Sequence, residues 1–228
     1  MAKGKPMNII EYPDREILAM DLADAIASDL ENALLTHDRV SLAVPGGTSP
    51  GPVFDLLRAV HLAWDRVDVM LSDERWVPED DAQSNTRLIR ERLLQDNAAA
   101  ASFVPFYRAG QSATEGAAAA APTLATHMPL SVLVLGMGED MHTASLFPGA
   151  EGVDAAMAAD APLLCPVFPE GQAPRVSLPA HVLQGAMSKH LLIFGAAKRE
   201  ALEKATQLPQ VQAPVGAVMT DLTVHWAA

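Results

Sequence analysis

Leu18, Leu22, Ile26, Leu30 and Leu34 recur every four residues, with Asp21, Asp24, Asp29 and Glu31 between them. That spacing lines one face of a helix with apolar side chains. It predicts an amphipathic helix over Asp14 to Thr36, with Asp14 as its N-cap. The next apolar stretches have another character. Val40 to Val44, Val67 to Leu71, Val132 to Leu135 and His190 to Phe194 are short runs with little alternation, as expected of strands covered on both faces. Each ends at a glycine or a polar turn, and helical patterns follow. Ser84 or Asn85 caps a helix through Leu94, with Leu88, Ile89, Arg92 and Leu93 at helical spacing. Gly195 turns into a helix beginning Ala196 to Leu202. Thr143 reads as the cap of a helix directly after the loop that follows Leu135.

Weaker patterns fill the intervals. Helices are expected over Ala117 to His127, over Glu151 to Ala161 and from Pro179 to Met187. Arg175 to Leu178 reads as extended, Ala213 to Val218 as a short apolar element and Asp221 to Trp226 as a final strand. The alanine-rich stretches Asn97 to Ala101 and Gly116 to Ala121 read as low-complexity surface or weak helix, and His127 as an exposed histidine. Strands alternate with helices along almost the whole chain. This argues an α/β protein with a mostly parallel sheet and helices on both faces. No repeat and no linker divides residues 1–228, so one domain is expected.

Half of the 228 residues are hydrophobic, enough for a sizeable core. The formal net charge of -12 argues against nonspecific binding to nucleic acid or an anionic membrane, and no basic run offsets it. It leaves room for a small anionic substrate beside a few local cations. Cys165 is the single cysteine, so no intrachain disulfide forms, and a small buried apolar role is expected. Met1 to Asp14 has no leader pattern, and no apolar run reaches the ~20 residues that span a bilayer. A soluble cytoplasmic protein is the expectation.

In a parallel sheet, loops at the carboxyl ends of the strands share one edge, where ligands bind. Three loops meet there: Pro45 to Ser49, Ser72 to Pro78 and Gly136 to His142. The first has two readings, a tight strand-to-helix turn and a phosphate cradle of close-approaching glycines, amides and hydroxyls. It is neither a Gly-x-Gly-x-x-Gly fingerprint nor a Walker loop. The second carries Asp73 and Arg75, and arginine binds carboxylate or phosphate through paired hydrogen bonds. The third carries His142, which suits general-base work near neutral pH. Asp140 has two readings, a partner that orients the imidazole and a loop cap that never touches it. The seven histidines include no His-x-x-x-His pair, and no cysteine cluster occurs. Zinc chemistry is therefore poorly supported. Lys198, by itself, reads as a surface lysine.

The stretch Gly136-Met137-Gly138-Glu139-Asp140-Met141-His142-Thr143-Ala144-Ser145-Leu146-Phe147-Pro148-Gly149 resembles the signature of 6-phosphogluconolactonases. Pro45-Gly46-Gly47-Thr48-Ser49-Pro50 resembles their glycine-rich loop. Asp73-Glu74-Arg75-Trp76-Val77-Pro78 with Ser84-Asn85, Arg175-Val176-Ser177-Leu178 and the Gly195 to Lys198 turn follow in the family's order. The family is related to the glucosamine-6-phosphate deaminases. The resemblance implies their three-layer α/β fold and hydrolysis of 6-phospho-D-glucono-1,5-lactone, without cofactor or metal. It makes His142 the base that activates water, and gives Gly46, Gly47, Thr48, Arg175 and Lys198 to the phosphate, with Arg75 nearby on the substrate. The substrate is then a small phosphorylated sugar lactone, and a monomer is favoured. Two other functions fit this family's fold. An amino-sugar-phosphate deaminase or isomerase would use Asp73 to move a proton, although the deaminases have Asp-Glu-Tyr where this chain has Asp73-Glu74-Arg75. A non-catalytic sugar-phosphate-binding regulator is the other. The family's glycine between Asp and His is Met141 here, which is expected to reshape the loop or narrow the pocket. Pro45, beside the glycine pair, is a smaller departure.

Overall fold

A computed structural model describes residues 5–228. The first four residues of the stretch Met1 to Asp14 lie outside the described residues. The chain opens with strand β1 (Asn8–Tyr12), which its sequence does not announce. Helix α1 (Arg15–Leu34) follows, and the Asp14 side chain accepts from the amides of Glu16 and Ile17 at its start. Those bonds satisfy two of the donors that every helix N-terminus leaves free. Leu18, Leu22, Ile26 and Leu30 are buried as their spacing requires, and Leu34 is half-buried against the core.

Then come β2 (Val40–Val44), α2 (Gly51–Leu57), β3 (Val67–Leu71), β4 (Asp73–Arg75) and α3 (Asn85–Arg92). Next are β5 (Ser102–Val104), α4 (Ala113–Ala125), β6 (Val132–Gly136) and α5 (Val153–Met157). The chain closes with β7 (Cys165–Val167), β8 (Arg175–Ser177), α6 (Ala180–Gln184), β9 (Ser188–Phe194), α7 (Ala196–Ala205) and β10 (Leu222–Ala227).

Seven strands form one sheet in the order β1-β10-β9-β6-β2-β3-β5, with every pair parallel. Every residue of β2 and β3 is buried, so helices and loops cover both faces of the sheet centre. From β2 the chain moves outward to β3 and β5, then returns to lay β6 on the other side of β2. The direction of winding therefore reverses between β2 and β6. A crevice opens at such a switch point beyond the strand ends, and the loops after β2 and β6 flank it.

A second sheet, β4-β8-β7, is antiparallel. Ser72 joins the two sheets: its amide still donates to Val44 of β2, while its carbonyl accepts from Leu178, just after β8. This side sheet carries β8 to the crevice from a hundred residues further along the chain.

Three expectations are corrected here. Thr143 caps no helix; its hydroxyl instead donates to the carbonyl of Gly136 at 2.9 Å, closing the loop on its own strand. His127 is only partly exposed, with Nδ1 3.1 Å from Asp68. The alanines are not mere surface, for Ala98, Ala117 and Ala120 are buried, and Gly116 lies directly under Trp76. Small residues there let a helix approach closely. Cys165 is buried as expected, and burial pushes its thiol up to about 11.

A buried polar chain ties β1, β10, β9 and α1 together. The Tyr12 hydroxyl lies 2.9 Å from His225 Nδ1, His225 Nε2 lies 3.1 Å from His190 Nδ1, and His190 Nε2 lies 3.0 Å from Asp29. One proton arrangement satisfies all three bonds with both imidazoles neutral: Tyr12 donates to His225, which donates to His190, which donates to Asp29. Burial, with His190 adding to it, pushes His225 down to about 3.

Candidate active site

A cavity of about 300 Å³ occupies the crevice. The loop after β2 forms one wall, with Gly46, Gly47 and Thr48 on its lining. Gly47 has φ +85, a conformation that glycine takes without steric cost. The Asn85 side chain occupies the space a Cβ on Gly46 would need, and its Nδ2 donates to the Asp73 carbonyl at 2.9 Å. Asn85, expected only as a cap candidate, thus locks the glycine loop to β4, while Ser84 caps α3.

The side sheet forms the second wall. Arg75 stands directly opposite Arg175 in the β4–β8 register. Like charges in that relation repel. Burial lowers the pKa of Arg175, with Arg75 adding to the effect and Asp73 opposing it. The Nε–H groups of both arginines are buried without a hydrogen-bond partner among the described residues. Arg75 donates to the Gln83 carbonyl at 2.7 Å, Arg175 donates to Gln172 at 2.6 Å, and Asp73 stands 3.7 Å from Arg175. Half-buried cations whose Nε–H donors are buried and unused are costly unless a ligand completes them. Lys198, in the first turn of α7, also lines the cavity. Three cationic side chains therefore face one carboxylate, Asp73, within a chain of net charge -12.

Asp73 is itself anchored. It accepts from Ser145 Oγ at 2.5 Å and from Ser72 Oγ at 3.2 Å. Glu74, its neighbour, points away and receives the amides of Arg75, Asn85 and Thr86 at the start of α3. Burial raises the Glu74 pKa while those amides oppose the shift.

The loop after β6 completes the site. Its tight path is held by the Gly138 amide on the His142 carbonyl and the Met141 amide on the Gly138 carbonyl, both 3.0 Å. Asp140 Oδ1 lies 2.5 Å from His142 Nδ1. Of the two readings for Asp140, the orienting partner is the one the geometry matches. A carboxylate can only accept, so Nδ1 carries the proton of the neutral ring and Nε2 keeps its lone pair. A Cβ on Gly138 would overlap both Asp140 and the imidazole. Met141 takes φ +66 and Ala144 φ +49, so two non-glycine residues in left-handed conformation bracket His142 and Thr143. Met141 packs against the core and does not line the cavity. The methionine itself takes the left-handed turn, and its side chain stays off the cavity lining.

The chain as a whole has relatives among known proteins. The family model for glucosamine-6-phosphate isomerases and 6-phosphogluconolactonase matches residues 13–226. The chain belongs to this family. A 6-phosphogluconolactonase of Pseudomonas aeruginosa is 40% identical over 218 residues, 91% of this chain and 90% of that protein. One from Rhizobium meliloti is 38% identical, covering 97% and 98%. The crystal structure of a 6-phosphogluconolactonase from Shewanella baltica superposes with a TM-score of 0.94 at 32% identity over the full length of both chains.

Of the residues singled out from the sequence, Gly46, Gly47, Thr48, Asp73, Arg75, His142, Arg175 and Lys198 all line the one cavity, and Asp140 touches it through His142. The sequence pattern assigns no site role to Asn85, Ser145 or Phe147. The last two sit within the signature stretch, where neither titrates, and that leaves them without a visible role there.

Proposed function

We propose that the protein hydrolyses 6-phospho-D-glucono-1,5-lactone to 6-phospho-D-gluconate, the lactone-opening step of the oxidative pentose phosphate pathway. The observation that carries the reading is the Asp140-oriented imidazole of His142 on the same cavity as Arg75, Arg175 and Lys198. The relatives' names point to the same substrate.

In this reading the glycine loop, Arg175 and Lys198 hold the phosphate, and Arg75 lies on the sugar. Binding energy from that remote group holds C1 beside His142. Nε2 takes a proton from water as its oxygen bonds to C1. The carbonyl electrons move onto oxygen, and donors around the cavity stabilise the oxyanion. When the tetrahedral centre collapses, the C1–O5 bond breaks and imidazolium returns its proton to O5. The new carboxyl group releases its own proton to solvent. Asp140 keeps Nδ1 protonated throughout and offsets the transient positive charge.

Asp73 as a proton-moving base, which isomerase or deaminase chemistry would need, is less well supported. Its carboxylate is tied to Ser145 and Ser72 beside Arg175. The reading includes a single α/β domain over residues 1–228, acting in the cytoplasm as a monomer on a small molecule. Sedimentation at micromolar concentration tests the monomer.

The central test is the rate on freshly made lactone above its spontaneous hydrolysis. His142→Ala should lose about 10²–10⁴-fold, the range of general-base catalysis, while binding of 6-phosphogluconate persists. An unchanged rate removes His142 as the base. Wild type without activity but with tight 6-phosphogluconate binding would favour the regulator instead. Lys198→Ala and Arg175→Ala should weaken phosphorylated ligands far more than unphosphorylated ones, and equal losses would take both residues off the phosphate.

A further inference from the structure

Phe147 sits behind the site and does not line the cavity, yet its ring touches two of the groups that do. The His142 ring centroid lies 4.1 Å from that of Phe147, with 31° between planes. The Arg175 guanidinium carbon stands 5.0 Å from the same centroid. We propose that Phe147 is a positioning residue for the hydrolysis, fixing the base and the phosphate-binding cation relative to each other through one shared aromatic ring.

The need for such a support follows from what else holds the two groups. Among the described residues, the His142 ring has a single hydrogen bond, to Asp140, and that bond fixes Nδ1 while leaving the ring free to rock about the bond axis. A close, tilted contact against the ring limits the rocking and keeps Nε2 aimed. The Arg175 side chain has one hydrogen bond among the described residues, to Gln172, with Asp73 at the looser distance of 3.7 Å. A carboxylate closer in would hold it more firmly but would consume the N–H groups an anion must use. An aromatic face attracts a guanidinium through its π-electrons and uses none of those donors. Phe147 therefore restrains Arg175 and leaves its buried Nε–H unspent.

The ring has a firm mount. The Phe147 amide donates to the Ser145 carbonyl at 3.1 Å, and the Ala150 amide donates to the Phe147 carbonyl at 3.2 Å. Ser145 is fixed to two strands of the side sheet, through its hydroxyl to Asp73 of β4 and through its amide to Ser177 Oγ of β8. The turn that presents the ring is thus tied to the strands that carry Arg75 and Arg175, and the left-handed Ala144 bends the chain into it. One short turn joins the base's loop to the anion wall.

The inference rests on the lactonase reading, and its test separates the two. Steady-state rates are measured for wild type, Phe147→Leu, Phe147→Tyr, Arg175→Ala and the double variant Phe147→Leu/Arg175→Ala. Phe147→Leu should lose roughly tenfold in kcat and about threefold in KM, the scale of one aromatic and one cation–π contact. Phe147→Tyr keeps the ring and should stay within about twofold of wild type. Because the double variant has no cation left to misplace, the combined loss should fall short of the product of the single losses by about threefold or more. Losses that multiply, a loss confined to KM, or an equal loss in Phe147→Tyr would overturn the proposal. If Phe147→Leu does not fold, judged by its melting curve, Phe147→Met takes its place with the same expectations. If wild type has no lactonase activity, the functional reading fails separately. Calorimetric affinity for 6-phosphogluconate then decides the positioning role, with about threefold weakening expected in Phe147→Leu and an unchanged affinity counting against it.

Discussion

Replacing Met141 by glycine isolates what a left-handed residue beside the proposed base, His142, contributes. At φ +66 the methionine backbone is in a region that costs a non-glycine residue roughly 1–2 kcal/mol, and glycine removes that cost. Two losses oppose the gain. Glycine gives up about 0.5–1 kcal/mol of unfolded-chain entropy. The half-buried methionine packs against the core, and about half of a full burial, ~1 kcal/mol, goes with it. The sum is close to zero. Met141→Ala separates the contributions, because alanine keeps the backbone cost and still loses the packing. It should be destabilised by about 1 kcal/mol, or ~2–4 °C in Tm for a chain of this size. The hydrogen bonds that shape the loop use backbone atoms of Gly138, Met141 and His142, and a third runs from the Val215 amide to the Met141 carbonyl. All survive both substitutions. Met141→Gly should therefore melt within ~2 °C of wild type and keep kcat/KM within about twofold, since less than ~0.4 kcal/mol separates such rates. Thermal unfolding by circular dichroism and steady-state lactone hydrolysis are the assays. A tenfold fall in kcat for the glycine variant at unchanged Tm would refute the reasoning, because the methionine side chain itself would then be shaping the base.

Two further expectations concern charge. Arg175→Met removes a half-buried cation that faces Arg75; it should raise stability by about 1 kcal/mol and weaken 6-phosphogluconate about tenfold or more, and a variant that loses stability as well as affinity would remove the claim that the arginine pair is held at a structural cost. For His225 the neutral ring is the folded form, with its pKa down at about 3 against 6.5 unfolded. Its contribution is fully present above about pH 6.5 and is lost as pH falls toward 3, by about 2 kcal/mol at pH 5 and roughly 5 kcal/mol in all. Urea unfolding at pH 7 and pH 5 should show wild type losing about 2 kcal/mol more than His225→Gln, a comparison that also cancels the opposite drift from Glu74; equal losses would mean that His225 accepts a proton without cost.

Local pattern was enough for the elements that bury one continuous apolar face. The stripe from Leu18 to Leu34 and the runs Val40–Val44 and Val67–Leu71 are helix and strands as their periods require, because burial there is decided within a few neighbouring residues. The residues of the proposed site were legible for a related reason: His142, Asp140 and the glycine loop are close in sequence to the strand ends that present them. Tertiary structure decided the rest. β1, β5 and β7 are three to five residues long and become strands only through partners far along the chain. Thr143 has the chemistry of a helix cap, but a nearer acceptor, the Gly136 carbonyl, claims its hydroxyl. Nothing local places Arg175 opposite Arg75, sets Asn85 on Gly46, or lays Phe147 between base and cation. Those contacts join residues whose separation along the chain carries no period, so only the folded sheet, with its reversal between β2 and β6, brings them to one cavity.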